Sequence, residues 1–452
     1  MPLPTHYCCL ILMAMLLAGS LALPGSAAAQ SNVITLSPTN VEISPSLYGI
    51  NYVWDKIPGD SFSQFQSLIA RVTHYTFARF PGGWNAERLD WGQNLELQQA
   101  PAAPGVDVGT FLASVPAATF IVPSKKAIAH PEMASAVAQQ SASLVSLYGK
   151  NVTVWEVGNE WWLQNGAPKS DAKLAYNLQS YANYLSVVVP AMKAVDPNIQ
   201  IYVTADWQHP EQFAGLRQLT SLTAWSEVSG ISVHTYCGTE DPARLCSLLP
   251  QRIAQARAMS GKDPVYDSEW AVPAAQSQND FGIQNAIYTM TAFQDLADAG
   301  VQMAAYWPPV KNVPGMALIA ADYSDGYATG YLFGWLQQGY EGTAMLANGS
   351  IPAIAARNGK QVTVFVAAPS QSPCPISIDL AGTGLHQVVS ASVMFAGAPG
   401  DAKGEDSRKV TIVNLPVAIT VAAGGTAYAE LTLNPGSANR GSGDEIARVT
   451  LQ

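Results

Sequence analysis

The chain has 452 residues, a formal net charge of −10 from 23 basic and 33 acidic side chains, and only 12% charged residues. A nucleic-acid partner ordinarily leaves a basic patch or stripe, which this balance argues against. Charge at about half the usual ~25% also excludes a disordered or coiled-coil composition, and the length admits two or three domains or one barrel with a smaller companion.

At the N-terminus residues 8–18 are almost wholly apolar, Leu21-Ala22-Leu23 extends the run to Pro24, and Ala27-Ala28-Ala29 supplies a small-x-small pattern. The expectation is an export signal over residues 1–29, cleaved before Gln30, with a secreted or periplasmic mature chain and no membrane contact once it is removed. Only His6 and the terminal amine precede Cys8 as possible positive charge, so an uncleaved anchor is the alternative. Pro24 and Gly25 stop the run short of the ~20 apolar residues a span needs. Of the cysteines beyond the signal, Cys237 and Cys246 bracket a short loop and would pair in an oxidising compartment, with two free thiols as the alternative. Closing so small a loop contributes about 2.5–3 kcal/mol at most. Cys374 is left over and is expected to be buried.

Further along, short apolar runs alternate with helical patterns. Residues 47–52, 75–80, 118–122, 152–157, 199–204, 230–233, 264–266 and 301–306 read as strands, and residues 62–72, 133–147, 174–195, 249–259 and 281–299 read as helices. Such alternation predicts βαβ units on a parallel sheet, and eight of them predict a closed (β/α)8 TIM barrel over residues 30–338. After about Gly339 the pattern changes. Residues 362–367, 375–380, 387–394, 409–413, 418–422 and 426–433 are strand-like and separated by Gly, Pro, Ser and Asp, which predicts a C-terminal all-β sandwich over residues 339–436. Residues 32–43 are also strand-like, so residues 30–44 could supply a strand to that sandwich. The Gly/Ser/Asn-rich stretch from Pro435 suggests a flexible tail over residues 437–452.

In a barrel, functional groups stand at the carboxyl ends of the strands. The fourth strand ends Trp155-Glu156-Val157-Gly158-Asn159-Glu160-Trp161-Trp162 and the seventh ends Tyr266-Asp267-Ser268-Glu269-Trp270. Each delivers a Glu beside Trp. Glycoside hydrolysis needs two carboxyls flanking one bond, one to protonate the leaving oxygen and one to attack or to activate water. Trp supplies flat faces for sugar C–H surfaces and a dry wall that raises a carboxyl's pKa. A single Glu or Trp at a strand end is ordinarily a solvated loop residue or core packing; it is the coincidence across strands that carries the reading.

Gly158-Asn159-Glu160 and Ser268-Glu269-Trp270 resemble the acid/base and nucleophile motifs of clan A glycoside hydrolases, retaining enzymes on a (β/α)8 barrel. Arg79-Phe80-Pro81-Gly82-Gly83 resembles the second-strand motif of arabinofuranosidase-like and heparanase-like members. His234-Thr235-Tyr236 is similar to the sixth-strand His-x-Tyr, and Trp307 to the eighth-strand Trp. With the sandwich, the resemblance spans families 51, 39, 30, 44 and 79. It implies Glu269 as nucleophile and Glu160 as acid/base, about 5–5.5 Å apart. It further implies that Asn159 hydrogen-bonds the sugar 2-OH, that Arg79 and Tyr236 donate to Glu269, and that Trp307 floors the sugar subsite. His234 would line the same pocket or make a structural hydrogen bond.

Strand alternation puts Glu156 on the same side as Glu160, inside the barrel, where it needs a cation or donors, and Arg79 is a candidate. A bulge near Gly158 would reset that parity. Asp267 shares the side of Glu269 by the same count. Trp84, Trp91, Trp161, Trp162, Trp207 and Trp270 fall on or near mouth loops and could line a cleft, Trp161, Trp207 and Trp270 being read as substrate contacts, with Asp206 beside them.

No His pair has metal-ligand spacing, so no metal is expected; no GxSxG or phosphate-binding glycine fingerprint appears, and no cofactor is implied. The rival class is a non-catalytic carbohydrate-binding barrel, which loss of one carboxyl would mark, and both are present. The expected partner is thus a carbohydrate substrate, with the open Trp-lined mouth favouring internal cleavage of a plant or microbial polysaccharide. An exo-acting α-L-arabinofuranosidase, β-xylosidase or β-glucuronidase is the alternative. A uronate would call for Lys125, Lys126 or Lys311. The oligomeric state is not legible.

Overall fold

The computed structural model describes residues 32–88, 105–163, 171–236, 247–272, 283–310, 317–368, 373–396, 410–434 and 444–452. After a first strand, β1 (Asn32–Ile43), eight strands close a parallel barrel: β2 (Gly49–Asn51), β3 (Phe77–Phe80), β4 (Ala118–Val122), β5 (Val152–Val157), β6 (Ile201–Thr204), β7 (Gly230–Tyr236), β8 (Val265–Ala271) and β9 (Met303–Tyr306). These strands are short and nearly all buried because one face meets the barrel interior and the other a ring of helices, so their sequences are apolar runs rather than alternations. The helix Phe62–Thr73 places Phe65, Leu68, Ile69 and Val72 on one face, the spacing of an amphipathic helix docked on a sheet.

The interior is layered, as expected when alternate residues point inward. Phe77, Val154, Tyr202, Tyr266 and Ala305 form the lower, apolar layer. Two residues further along their strands stand Arg79, Glu156 and Ser268, joined by Asn51 and Ser232 from β2 and β7. One register shift matters here. Val233 pairs with Asp267 but His234 pairs with Glu269, so Ser268 is the extra residue of a β-bulge in β8. The bulge overturns the simple parity that put Asp267 and Glu269 on one side. Ser268, not Asp267, reaches into the barrel to bond Glu156, while Asp267 accepts from the backbone N–H of Thr235 at 3.2 Å.

The remaining strands are β10 (Gly342–Asn348), β11 (Ala353–Asn358), β12 (Gln361–Ala368), β13 (Cys374–Asp379), β14 (Val388–Ala396), β15 (Val410–Asn414), β16 (Ala418–Val421), β17 (Ala427–Leu433) and β18 (Glu445–Leu451). With β1 they form one ten-stranded sheet in the order β15-β14-β18-β12-β11-β10-β1-β13-β17-β16. Strand β1 pairs antiparallel with β10 and parallel with β13, so the segment preceding the barrel is built into the C-terminal domain. Strand β12 shows why the two domains pack. Val362, Val364 and Val366 face the sheet's own core with Ile34, Ile376, Leu431 and Val449, whereas Phe365 and Ala367 join the barrel's core.

The flexible tail read over residues 437–452 is corrected by β18, which runs between β12 and β14 and buries Ile446, Ala447, Val449 and Leu451 completely. Its short length and the Gly/Ser/Asn run before it concealed a central strand. Cys374 is buried and unpaired, accepting from Asn32 Nδ2 at 3.2 Å. Cys237 and Cys246, residues 1–29, Trp91 and Lys311 lie outside the described residues.

Candidate active site

Arg79 organises the site. It comes from β3, is completely buried, and a buried cation persists only when paired and hydrogen-bonded. Its Nε bonds Glu156 Oε2 at 2.6 Å, and Nη1 bonds Asn51 Oδ1 at 3.0 Å and Glu269 Oε1 at 2.7 Å. Nη2 bonds Asn159 Oδ1 at 3.1 Å. One guanidinium thus ties the ends of four strands together. Burial alone would lower its pKa; Glu156 and Glu269 outweigh that and raise it. Glu156 completes its own shell with the hydroxyls of Ser232 and Ser268, at 2.7 and 2.6 Å.

Above this layer the candidate carboxyls meet. Glu269, 3% exposed, accepts from Arg79 through Oε1 and from the Tyr236 hydroxyl through Oε2 at 2.8 Å. Burial, then the charges of Glu269 and Glu160, raise the Tyr236 pKa, so that hydroxyl keeps its proton and donates. The Nδ1 of His234 lies 3.1 Å from Glu160 Oε1 and 3.5 Å from Glu269 Oε2. Oxygens of Glu160 and Glu269 lie within 4.8 Å of one another. Burial by itself would lower the His234 pKa, but Glu269 and Glu160 prevail and raise it. For Glu160 burial would raise it, but the hydrogen bond and charge of His234, then Arg79 and the Trp84 indole, hold it below the ordinary value. Both shifts favour the proton on the imidazole over the carboxyl.

Two backbone features shape the mouth. Gly83 has φ +52, and a Cβ there would lie 2.7 Å from Trp307 Cη2 and 3.2 Å from Glu269 Oε1, so the Gly82-Gly83 turn closes directly over the nucleophile candidate. After β5 the chain turns through Gly158 at φ 74 and Glu160 at φ 43. A non-glycine residue in that left-handed region costs about 1–3 kcal/mol and persists where its surroundings hold it.

Glu87, from the short helix Asn85–Arg88 after β3, was not singled out by the sequence. Its carboxylate accepts from Ser124 N and Lys125 N at 2.8 and 2.6 Å, Ser124 Oγ at 2.8 Å and Asn159 N at 2.8 Å. Asn51 was likewise missed; its Nδ2 donates to the Ser268, Ala305 and Tyr306 carbonyls while Oδ1 receives Arg79. Being the last residue of the first barrel strand was the available signal for Asn51. Glu87 had none.

The aromatic residues divide. Trp161 is fully buried, donates to the Thr204 carbonyl at 2.7 Å and stacks on Tyr181 at 5.3 Å. Trp270 packs edge-on against Phe293 and Tyr306 at 4.9 and 5.0 Å. Both are core residues, which corrects their reading as substrate contacts: a Trp beside a strand-end Glu can point outward to the helices. Trp207 is 5% exposed within the same core. Trp162 packs edge-on against His234 at 5.7 Å, and Trp307 and Trp84 are only partly buried. Lys125 places Nζ 5.5 Å from the Trp84 ring centre.

Among the described residues, Glu160, His234 and Glu269 are the one group whose potential ligand atoms converge, within 4.8 Å, as a metal would need. No spacing in the sequence foretold that grouping. The Arg79 guanidinium already supplies a fixed positive charge against it.

No protein-family model matches the chain, and no curated protein does. Solved structures do. A family 51 α-L-arabinofuranosidase from Bifidobacterium longum superposes with a TM-score of 0.63 at 14% identity, over 93% of this chain and 99% of that one. A family 44 xyloglucanase from Paenibacillus polymyxa gives 0.58 at 14% over 94% and 100%, and a family 30 endoxylanase from Clostridium papyrosolvens 0.54 at 12% over 93% and 99%. At such identities the likeness speaks for the fold. The chain shares the fold of these enzymes, a (β/α)8 barrel joined to a β domain.

Proposed function

We propose that this protein is a retaining glycoside hydrolase that cleaves O-glycosidic bonds of a polysaccharide or oligosaccharide. The observation that carries the reading is that one carboxylate oxygen of Glu160 and one of Glu269 lie within 4.8 Å of each other at the carboxyl ends of β5 and β8. Retaining pairs stand about 5–5.5 Å apart, whereas inverting pairs stand ~6.5–9.5 Å apart to admit a water.

Glu269, held at both oxygens by Arg79 and Tyr236, attacks the anomeric carbon as its bond to the leaving oxygen breaks, and Glu160 gives that oxygen a proton. Water then yields a proton to Glu160 and displaces Glu269, restoring the anomeric configuration. The lowered pKa of Glu160 opposes an acid role in the open site. His234 resolves this: its Nδ1 lies 3.1 Å from Glu160 Oε1, within reach to pass a proton to it as sugar displaces water. Asn159 faces the sugar 2-OH, and Trp307 floors the subsite beneath Gly83.

Internal cleavage is the mode we favour, on the partly exposed Trp84 and Trp307 at the mouth. Export by residues 1–29 is proposed on their apolar run and small-x-small end. No helix among the described residues is long and apolar enough to cross a membrane. The test is release of reducing ends over a panel of polysaccharides and short glycosides, with Glu269→Gln beside it. Activity on one polymer that the variant loses supports the reading, and the product ladder separates endo from exo. Binding without cleavage supports the non-catalytic barrel instead.

A further inference from the structure

Glu87 is a half-buried residue whose carboxylate has four donors and, among the described residues, no cationic side chain within ion-pair distance. Three of those donors belong to Ser124 and Lys125 after β4, and the fourth is the backbone N–H of Asn159 after β5. Four is the number of lone-pair sites a carboxylate offers, so the group is saturated. What it grips is the turn that presents the proposed acid. Gly158 precedes the Asn159 N–H, with a notional Cβ only 2.3 Å from Ser124 Oγ, and Glu160 follows it in the left-handed region at φ 43. A left-handed, partly exposed Glu is uphill locally and would relax without a restraint on the preceding amide.

We propose that Glu87 is a positioning residue for Glu160, fixing the turn after β5 so that the acid faces the leaving oxygen; this rests on the reading of Glu160 as acid/base. The residue does not touch the reacting atoms. Its carboxylate clamps two mouth loops together, and the direction in which Glu160 projects depends on that clamp.

Glu87→Gln tests this selectively. The Oε2 position receives two backbone N–H groups, whereas Oε1 receives one N–H and the Ser124 hydroxyl, which can also accept. A glutamine would therefore keep its carbonyl at Oε2 and place its NH2 at Oε1, facing the Asn159 N–H. The loops after β3 and β4 stay joined, and the link to the acid's turn is the one lost.

Two readouts follow in the full chain. Hydrogen exchange at the Asn159 amide should speed up by about tenfold or more while the melting temperature moves little. On the sugar that the wild type cleaves, kcat for a glycoside with a poor alkyl leaving group should fall by about 30-fold or more. An aryl glycoside with a dinitrophenyl leaving group, which needs no proton, should lose no more than about threefold in kcat/KM. Glu87→Asp, which keeps the charge and shortens the reach, should lie between and serves if the Gln variant does not fold. Unchanged exchange at Asn159, or an equal loss on both leaving groups, overturns the proposal. A wild type that cleaves no glycoside at all overturns the reading of the site instead, and the exchange measurement still reports on the clamp.

Discussion

His234 holds Glu160 through a contact of 3.1 Å between Nδ1 and Oε1, and the two titrate as a pair rather than as separate groups. The pair keeps its last proton above the ordinary His value, because Glu269 and Glu160 favour the imidazolium over the cost of burying it. In His234→Asn that proton has only the Glu160 carboxyl to occupy, still beside Arg79. The alkaline limb of the kcat/KM profile should then move to lower pH. A limb that stays in place would separate His234 from the acid's protonation.

The Arg79–Glu156 pair predicts a stability effect. Removing one partner of a buried ion pair costs about 3–5 kcal/mol when the other charge is left uncompensated; Arg79 keeps its pair with Glu269, so a smaller loss is expected here. Glu156→Gln should lower the denaturant midpoint accordingly and reduce turnover, since Arg79 also holds Glu269 at 2.7 Å. Unchanged stability and activity would remove Glu156 from the account.

Gly83→Ala places a methyl group against Trp307 and Glu269 in a backbone conformation that alanine rarely adopts. A misplacement of about 1 Å at reacting groups costs roughly 10²-fold. The expected result is a kcat/KM loss of that order with the fold retained by circular dichroism. Full activity would mean the turn lies away from the sugar.

Asp267 is fully buried, and burial, only partly opposed by Thr235, raises its pKa to about 8. The folded state then binds a proton that the unfolded state has released above about pH 3.9. Its contribution to stability is full below that value, falls as pH rises towards 8, and is flat beyond. Asp267→Asn keeps an acceptor for the Thr235 N–H without the charge. Urea melts at pH 5 and pH 8.5 should show a smaller difference for the variant than for the wild type; an equal difference would exclude Asp267 as the cause.

What was legible in the sequence was what a strand displays locally. Glu160 and Glu269 follow apolar strand runs, Arg79 opens a Pro-Gly-Gly turn, and His234 and Tyr236 alternate on one strand, so their convergence required only that the strands close. Glu87 could not be found this way, because its partners at 124, 125 and 159 meet it only across loops. The bulge at Ser268 leaves no mark in composition, and it reverses the side on which Asp267 stands. Strands β10 and β11 are Ala-containing segments without the usual β-branched pattern, and pairing with their neighbours decides them. Trp161 and Trp270 were misread because an aromatic residue beside a mouth Glu serves the outer core as readily as the cleft.

The most direct measurement is the anomer first formed from the wild type's substrate, followed by proton NMR before mutarotation. With carboxylate oxygens of Glu160 and Glu269 within 4.8 Å of each other, the first product should carry the configuration of the bond that was cut. An inverted first product would contradict double displacement at this pair and with it the role assigned to Glu269.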